Sequence, residues 1–128
     1  MNPLTLEWVS KAEGDYSTAG RELRAHKSPN FDAACFHAQQ CAEKYLKALL
    51  QEANIPFGKT HNLIALLELL LDFQPSWETT RSHLDYLTVF AVIFRYPGET
   101  ADKPTARQAV THSMAFRARA RSELGLPQ

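Results

Sequence analysis

The chain has 128 residues, 45% of them apolar, and its 14 basic and 14 acidic side chains cancel at neutral pH. That length fits one domain over residues 1–128 and leaves no room for a second core. A zero balance excludes a general electrostatic grip on nucleic acid, which needs a net basic surface, although local patches stay open.

The longest strongly apolar run, Leu63 to Leu71, is broken by Glu68 and is far shorter than a membrane span. Met1-Asn2-Pro3-Leu4 lacks the basic-then-apolar layout of a signal peptide. A cytoplasmic protein with no membrane partner is expected.

Leu6, Val9, Ala12, Tyr16, Ala19 and Leu23 recur at three- and four-residue spacing and predict a first helix from about Leu4 to Arg24. Ser28-Pro29-Asn30 marks the next start, with serine as cap and proline at the first helical position. Phe31, Cys35, Ala38, Ala42, Tyr45 and Leu49 form the inward stripe of that second helix, which should end near Ala53. Gln40, Glu43, Lys44 and Lys47 fall on the opposite side, and Glu43 with Lys47 makes a favourable i, i+4 ion pair.

A third helix is expected over about Asn62 to Asp72, apolar nearly all round and deeply packed. A fourth should run from Trp77 to Phe94, with Leu84, Leu87, Ala91 and Phe94 inward, ending at Arg95-Tyr96-Pro97-Gly98. The fifth starts near Pro104 and reaches Leu124, with Ala106, Ala109, Val110, Ser113, Phe116 and Ala120 inside. Short loops and the lack of any alternating segment predict an all-α, five-helix antiparallel up-and-down bundle.

Cys35 and Cys41 lie six apart in the second helix, on different faces and about 9 Å apart in rise. That excludes a disulfide between them and predicts two small buried apolar side chains. No histidine or cysteine spacing suits a metal, and no cofactor is expected.

Two segments stand out beyond packing. One is Phe36-His37-Ala38-Gln39-Gln40-Cys41-Ala42-Glu43-Lys44-Tyr45-Leu46-Lys47-Ala48-Leu49-Leu50, and the other is Arg95-Tyr96-Pro97-Gly98. Thr60-His61-Asn62-Leu63 lies between them and Lys11-Ala12-Glu13-Gly14-Asp15-Tyr16 before them. In this order and spacing they resemble the HEPN family over nearly the whole chain. The resemblance implies a four- to five-helix bundle, often a homodimer, and frequently a partner of a minimal nucleotidyltransferase in toxin–antitoxin-like modules.

Active HEPN members are metal-independent RNases whose signature is an arginine followed, after four to six residues, by a histidine. The expected histidine after Arg95 is missing: positions 100 to 102 are Thr100, Ala101 and Asp102. The spacing recurs at Arg21–His26 and Arg107–His112. Residues five apart in one helix point about 140° from each other, so Arg107 and His112 converge only if the fifth helix starts later than expected or a dimer supplies the partner. The tyrosine modified in some relatives is Met114 here, which excludes modification at that position.

Arg95 is the leading candidate for ligand contact, beside Tyr96. A guanidinium leaving an apolar helix needs a partner, and that partner is either a phosphate or an internal carboxylate such as Asp15 or Glu43. His61 reads as a ligand contact or as a helix-start residue. His37 and His83 are expected on helix flanks or surfaces, and Gln39 and Gln40 on a base edge or in a buried network.

Three functions follow. The first is a binding module that holds nucleotide or RNA in a polar cleft around Arg95, Lys44 and Lys47, with Gln40, Glu43 and Tyr96 nearby. The second is an RNase acting through Arg107 and His112. The third is a dimerisation module with no small ligand.

Overall fold

The computed structural model describes all 128 residues, and five α-helices account for most of them. They are α1 (Pro3–Arg24), α2 (Phe31–Glu52), α3 (Leu63–Phe73), α4 (Arg81–Leu87) and α5 (Lys103–Glu123). There are no strands, so the all-α bundle expected from the periodicity is the fold.

Helix starts are set by asparagine and aspartate. Asn2, Asn30, Asn62 and Asp102 each turn a side-chain oxygen onto backbone N–H groups of the first turn, at 2.8–3.2 Å. The second of these corrects the expected cap: Asn30, not Ser28, starts α2, because Ser28 takes a positive φ of 50° in the turn before it. Pro3 and Pro104 then stand in the first helical turns, where a missing N–H costs nothing.

The central helix is α2. Small side chains on it (Ala34, Cys35, Ala38, Cys41, Ala42) are fully buried and let Ala12 and Ala19 of α1 approach closely. Thr5 bonds Glu52, Asp15 meets His37 and Lys44, and Glu22 bonds Asn30, so α1 and α2 run antiparallel. Ser113 of α5 bonds the Ala38 carbonyl across the other side of α2. The connection after α2 returns alongside it, and Gln39 donates to the His61 carbonyl, so α3 begins beside the middle of α2. Trp77, Phe116, Leu66 and Leu84 fill the far end, each contributing roughly 1.5–3 kcal/mol by burial.

Three expectations need correction. The predicted fourth helix, Trp77 to Phe94, is α-helical only over Arg81–Leu87; Pro75–Thr80, Thr88–Ala91 and Ile93–Arg95 are short 3₁₀ turns. Thr88, Val89, Val92 and Ile93 are β-branched and resist a long helix, and Val92 sits at φ −132°. Thr88 accepts the N–H of Leu63 instead of serving as a passive helix position. Leu6, placed in the α1 stripe, is exposed, and Thr5 is buried in its place. Glu43 and Lys47, assigned to the outer side of α2, are buried, because α2 is covered on nearly all sides.

Both cysteines are buried and free, and burial pushes each thiol up to about 12. No helix is long and apolar enough to cross a membrane.

Candidate functional site

Three polar clusters surround α2. In the first, Glu43 Oε2 accepts from Lys47 Nζ at 3.0 Å, and Glu43 Oε1 meets His61 Nδ1 at 3.0 Å and Gln39 Nε2 at 3.2 Å. Gln40 donates to Gln39 Oε1 at 2.6 Å. The Lys47 ammonium lies 5.5 Å from the Trp8 ring. Side chains of Lys47 and Glu43 are 7% and 3% exposed. The buried polar side chains here all have partners within the cluster, so it ties α1, α2 and the start of α3 together, with the His61 ring on its outer, exposed side. His61 is thereby a helix-start residue bonded to a carboxylate, and Gln39 and Gln40 belong to the buried network.

The second cluster joins α1, α2 and α5. Arg117 donates through Nε and Nη2 to the two oxygens of Glu13, at 2.7 and 2.8 Å. Tyr45 donates its hydroxyl to Glu13 and accepts from Arg121 at 2.9 Å. The Arg117 hydrogen bonds hold the Glu13 carboxyl below its usual range, while burial pushes the Tyr45 phenol up. Nothing in the sequence motifs singled out this clamp, because its members are 104 and 32 positions apart.

The third cluster borders an open hollow. Asp15 Oδ1 meets His37 Nδ1 at 2.7 Å, and Lys44 Nζ donates to Asp15 Oδ2 at 2.5 Å. Asp15 is only 8% exposed. With Nδ1 held by a carboxylate, Nε2 is the His37 nitrogen left for another partner. His37 packs edge-on against Phe36, and the Arg95 guanidinium stands 5.9 Å from the Phe36 ring.

His37, Phe36, Phe90, Phe94 and Arg95 line the same hollow of about 300 Å³, with Asn30 and Asp32 at its polar side. Phe90 and Phe94 stack with ring centroids 5.6 Å apart. One Asp32 oxygen already accepts the Ala101 N–H at 2.7 Å.

Of the residues expected to converge, only Arg95 lines this hollow. Lys44 reaches its border by holding Asp15, the carboxylate that orients His37. Lys47, with Gln40 and Glu43, is enclosed in the first cluster, because its stem runs along α2 toward Glu43 and Trp8. Tyr96 is 69% exposed and projects away. Asp15 and Glu43, the two acids weighed as internal partners for Arg95, are taken by other cations, and no carboxylate lies within ion-pair distance of Arg95. Sequence reasoning missed His37. The available signal was its seven-residue spacing from Lys44, which puts both on one helix face.

Arg107 and His112 do not meet. Arg107 lines a groove against α1, whereas His112 turns toward α4, where its Nδ1 lies 2.8 Å from His83 Nδ1 and its ring stacks on Tyr86 at 4.6 Å. At most one of those two nitrogens carries a proton. Burial, then the neighbouring His83, lowers the His112 pKa.

A small all-α bundle, organised around one central helix with its charges clamped in three clusters, is the class these features define. Residues 5–122 match the model of the HEPN domain, and the chain belongs to the HEPN domain family. Among solved structures it is similar to the crystal structure of an archaeal HEPN homologue. The TM-score is 0.68 and the identity 22%, over 93% of this chain and 96% of that one, a likeness of fold. No curated protein matches it.

Proposed function

We propose that this HEPN-domain protein is a non-catalytic binding module that holds a phosphate-bearing ligand, a nucleotide or an RNA segment, in the Phe36–Arg95 hollow. As a homodimer, it would act with a minimal nucleotidyltransferase in a toxin–antitoxin-like pair. The observation that carries the reading is the free Arg95 guanidinium sharing an aromatic-walled hollow with His37. Phe36 and Phe94 supply surface for a base, Arg95 and His37 supply donors for phosphate, and Asp32 suits a ribose hydroxyl or base amino group. Lys44 is a positioning residue in this scheme, and Lys47, Gln40, Glu43 and Tyr96 drop out of ligand contact.

The test is titration of the purified chain with ATP and with a short single-stranded RNA, followed by calorimetry. Arg95→Ala should weaken binding at least tenfold with an unchanged melting temperature. Unchanged affinity in that variant would sink the site. Co-purification with a minimal nucleotidyltransferase tests the partner, and sedimentation tests the dimer.

A second reading, a metal-independent RNase, draws on one observation: the Asp15–His37 contact leaves an oriented imidazole beside Arg95. Such a histidine would take the ribose 2′-hydroxyl proton while the guanidinium met the phosphate charge. RNA cleavage in EDTA, lost in His37→Ala and retained in Arg107→Ala, is the result this reading requires.

A further inference from the structure

A second groove, between α1 and α5, gathers cations that nothing in the molecule neutralises. Arg21 and Arg24 line it from the last turn of α1, and Arg107 faces them from the start of α5. The groove holds about 450 Å³. No carboxylate lies within 4.0 Å of any of the three guanidinium groups, and Arg21 has only the Thr18 hydroxyl, at 3.2 Å. Arg81, Arg117 and Arg121, by contrast, all pair with glutamates.

Two of the three arginines have a local rationale, since cations suit the C-terminal end of α1. Arg107 has none. It stands in the second turn of α5 with no carboxylate within 4.0 Å, and it faces two further cations across the groove. Gly20 leaves Arg24 room to lie close over α1: a Cβ there would stand 2.7 Å from Arg24 Nη1, the movable end of that side chain.

The floor decides what chemistry fits. Leu23, Val110 and Met114 line the groove, and Met114 is 45% exposed. Tyr16, its one aromatic ring, already carries the Arg117 guanidinium at 4.5 Å, and no second ring lines the groove to sandwich a base. A sugar–phosphate backbone gains nothing from an apolar floor. Apolar floor, exposed methionine and arginine rim are the composition of a protein interface.

We infer that the α1–α5 groove docks an acidic amphipathic helix of a partner protein. The partner's apolar stripe would lie on Leu23, Val110 and Met114, and its glutamates or aspartates would meet Arg21, Arg24 and Arg107. This surface is separate from the Arg95 hollow and does not depend on what that hollow binds.

The experiment uses the full chain and a fluorescein-labelled helical peptide of about 15–20 residues, with a leucine stripe flanked by glutamates. Controls are the same peptide with glutamine for glutamate and a single-stranded RNA, all followed by anisotropy. The acidic peptide should bind, should weaken with salt, and should lose about tenfold or more in affinity to the Arg21→Glu/Arg107→Glu double variant. Lys59→Glu, a charge reversal in an exposed loop away from the groove, should leave affinity unaltered.

Arg24→Gln provides the variant that cannot be dismissed as unfolding, because Arg24 is exposed and has no carboxylate partner. It should weaken peptide binding about twofold or more without lowering the melting temperature. Equal binding of the glutamine peptide would overturn the inference. So would arginine-dependent binding of RNA in place of the acidic peptide.

Discussion

Along the α1–α2 seam, Glu13, Asp15 and Glu43 each meet two or more side chains, and the lysines and arginines among them are largely buried. At the end of the broken fourth segment the situation reverses: Arg95 has no acid, and Val89, Val92, Ile93 and Tyr96 are exposed around it. The first region is built for stability and the second at its expense. A charged residue in a motif-bearing helix is thus no sign of a ligand unless its own fold leaves it unpaired. Lys47 sits in the most motif-like segment and is closed off; Arg95 ends a β-branched stretch of short 3₁₀ turns and is open.

The largest effect that would break this contrast is at Glu43. Glu43→Ala strands the buried Lys47 ammonium and should cost about 3–5 kcal/mol in urea denaturation. Replacing both residues, Glu43→Leu with Lys47→Met, should recover much of that loss, because no buried charge is left alone. A Glu43→Ala variant of native stability would show that water reaches Lys47 and that the seam is not closed.

Tyr45→Phe comes next. It removes one of Glu13's partners but leaves the two Arg117 bonds, so a loss of about 1–2 kcal/mol is expected by the same measurement.

The His83–His112 pair gives the pH arm. Because the folded state lowers the His112 pKa, protonation below pH 6.5 favours the unfolded chain. Stability should be fully present above pH 6.5 and fall as the pH drops below it. Urea midpoints measured between pH 7.5 and 5.5 should show this decline, and His112→Leu should flatten it. Arg95→Ala is the smallest: a change within about 0.5 kcal/mol, set against its loss of ligand binding. A large destabilisation there would make Arg95 structural and remove the contrast altogether.

How far the residues themselves led can be judged from particular places. The stripe Val9, Ala12, Ala19 and the stripe Ala106, Ala109, Ser113, Phe116, Ala120 are inside, as the spacing required. The Arg95-Tyr96-Pro97-Gly98 turn ends the fourth segment where proline and glycine placed it, with Gly98 at φ 95°. The 3₁₀ breaks at Thr88–Ala91 and Ile93–Arg95 were written in the run of β-branched residues, but an apolar period alone reads straight through them. His37 read as a flank residue because the contact that fixes its ring, with Asp15, spans 22 positions.

Periodicity, caps and breakers act within a few residues, so the sequence by itself determined the five helical segments, the all-α bundle and the buried state of both cysteines. Pairing within one helix, as of Glu43 with Lys47, is legible from i, i+4 spacing. Pairings that join different elements span long stretches of chain, 104 positions for Arg117 and Glu13, and only tertiary packing decides them. Whether a cation of α2 faces solvent, a carboxylate or a hollow depends on how completely its neighbours cover that helix. Packing alone therefore closed Lys47 in, set Lys44 to hold Asp15, turned Arg107 and His112 apart, and left Arg95 open.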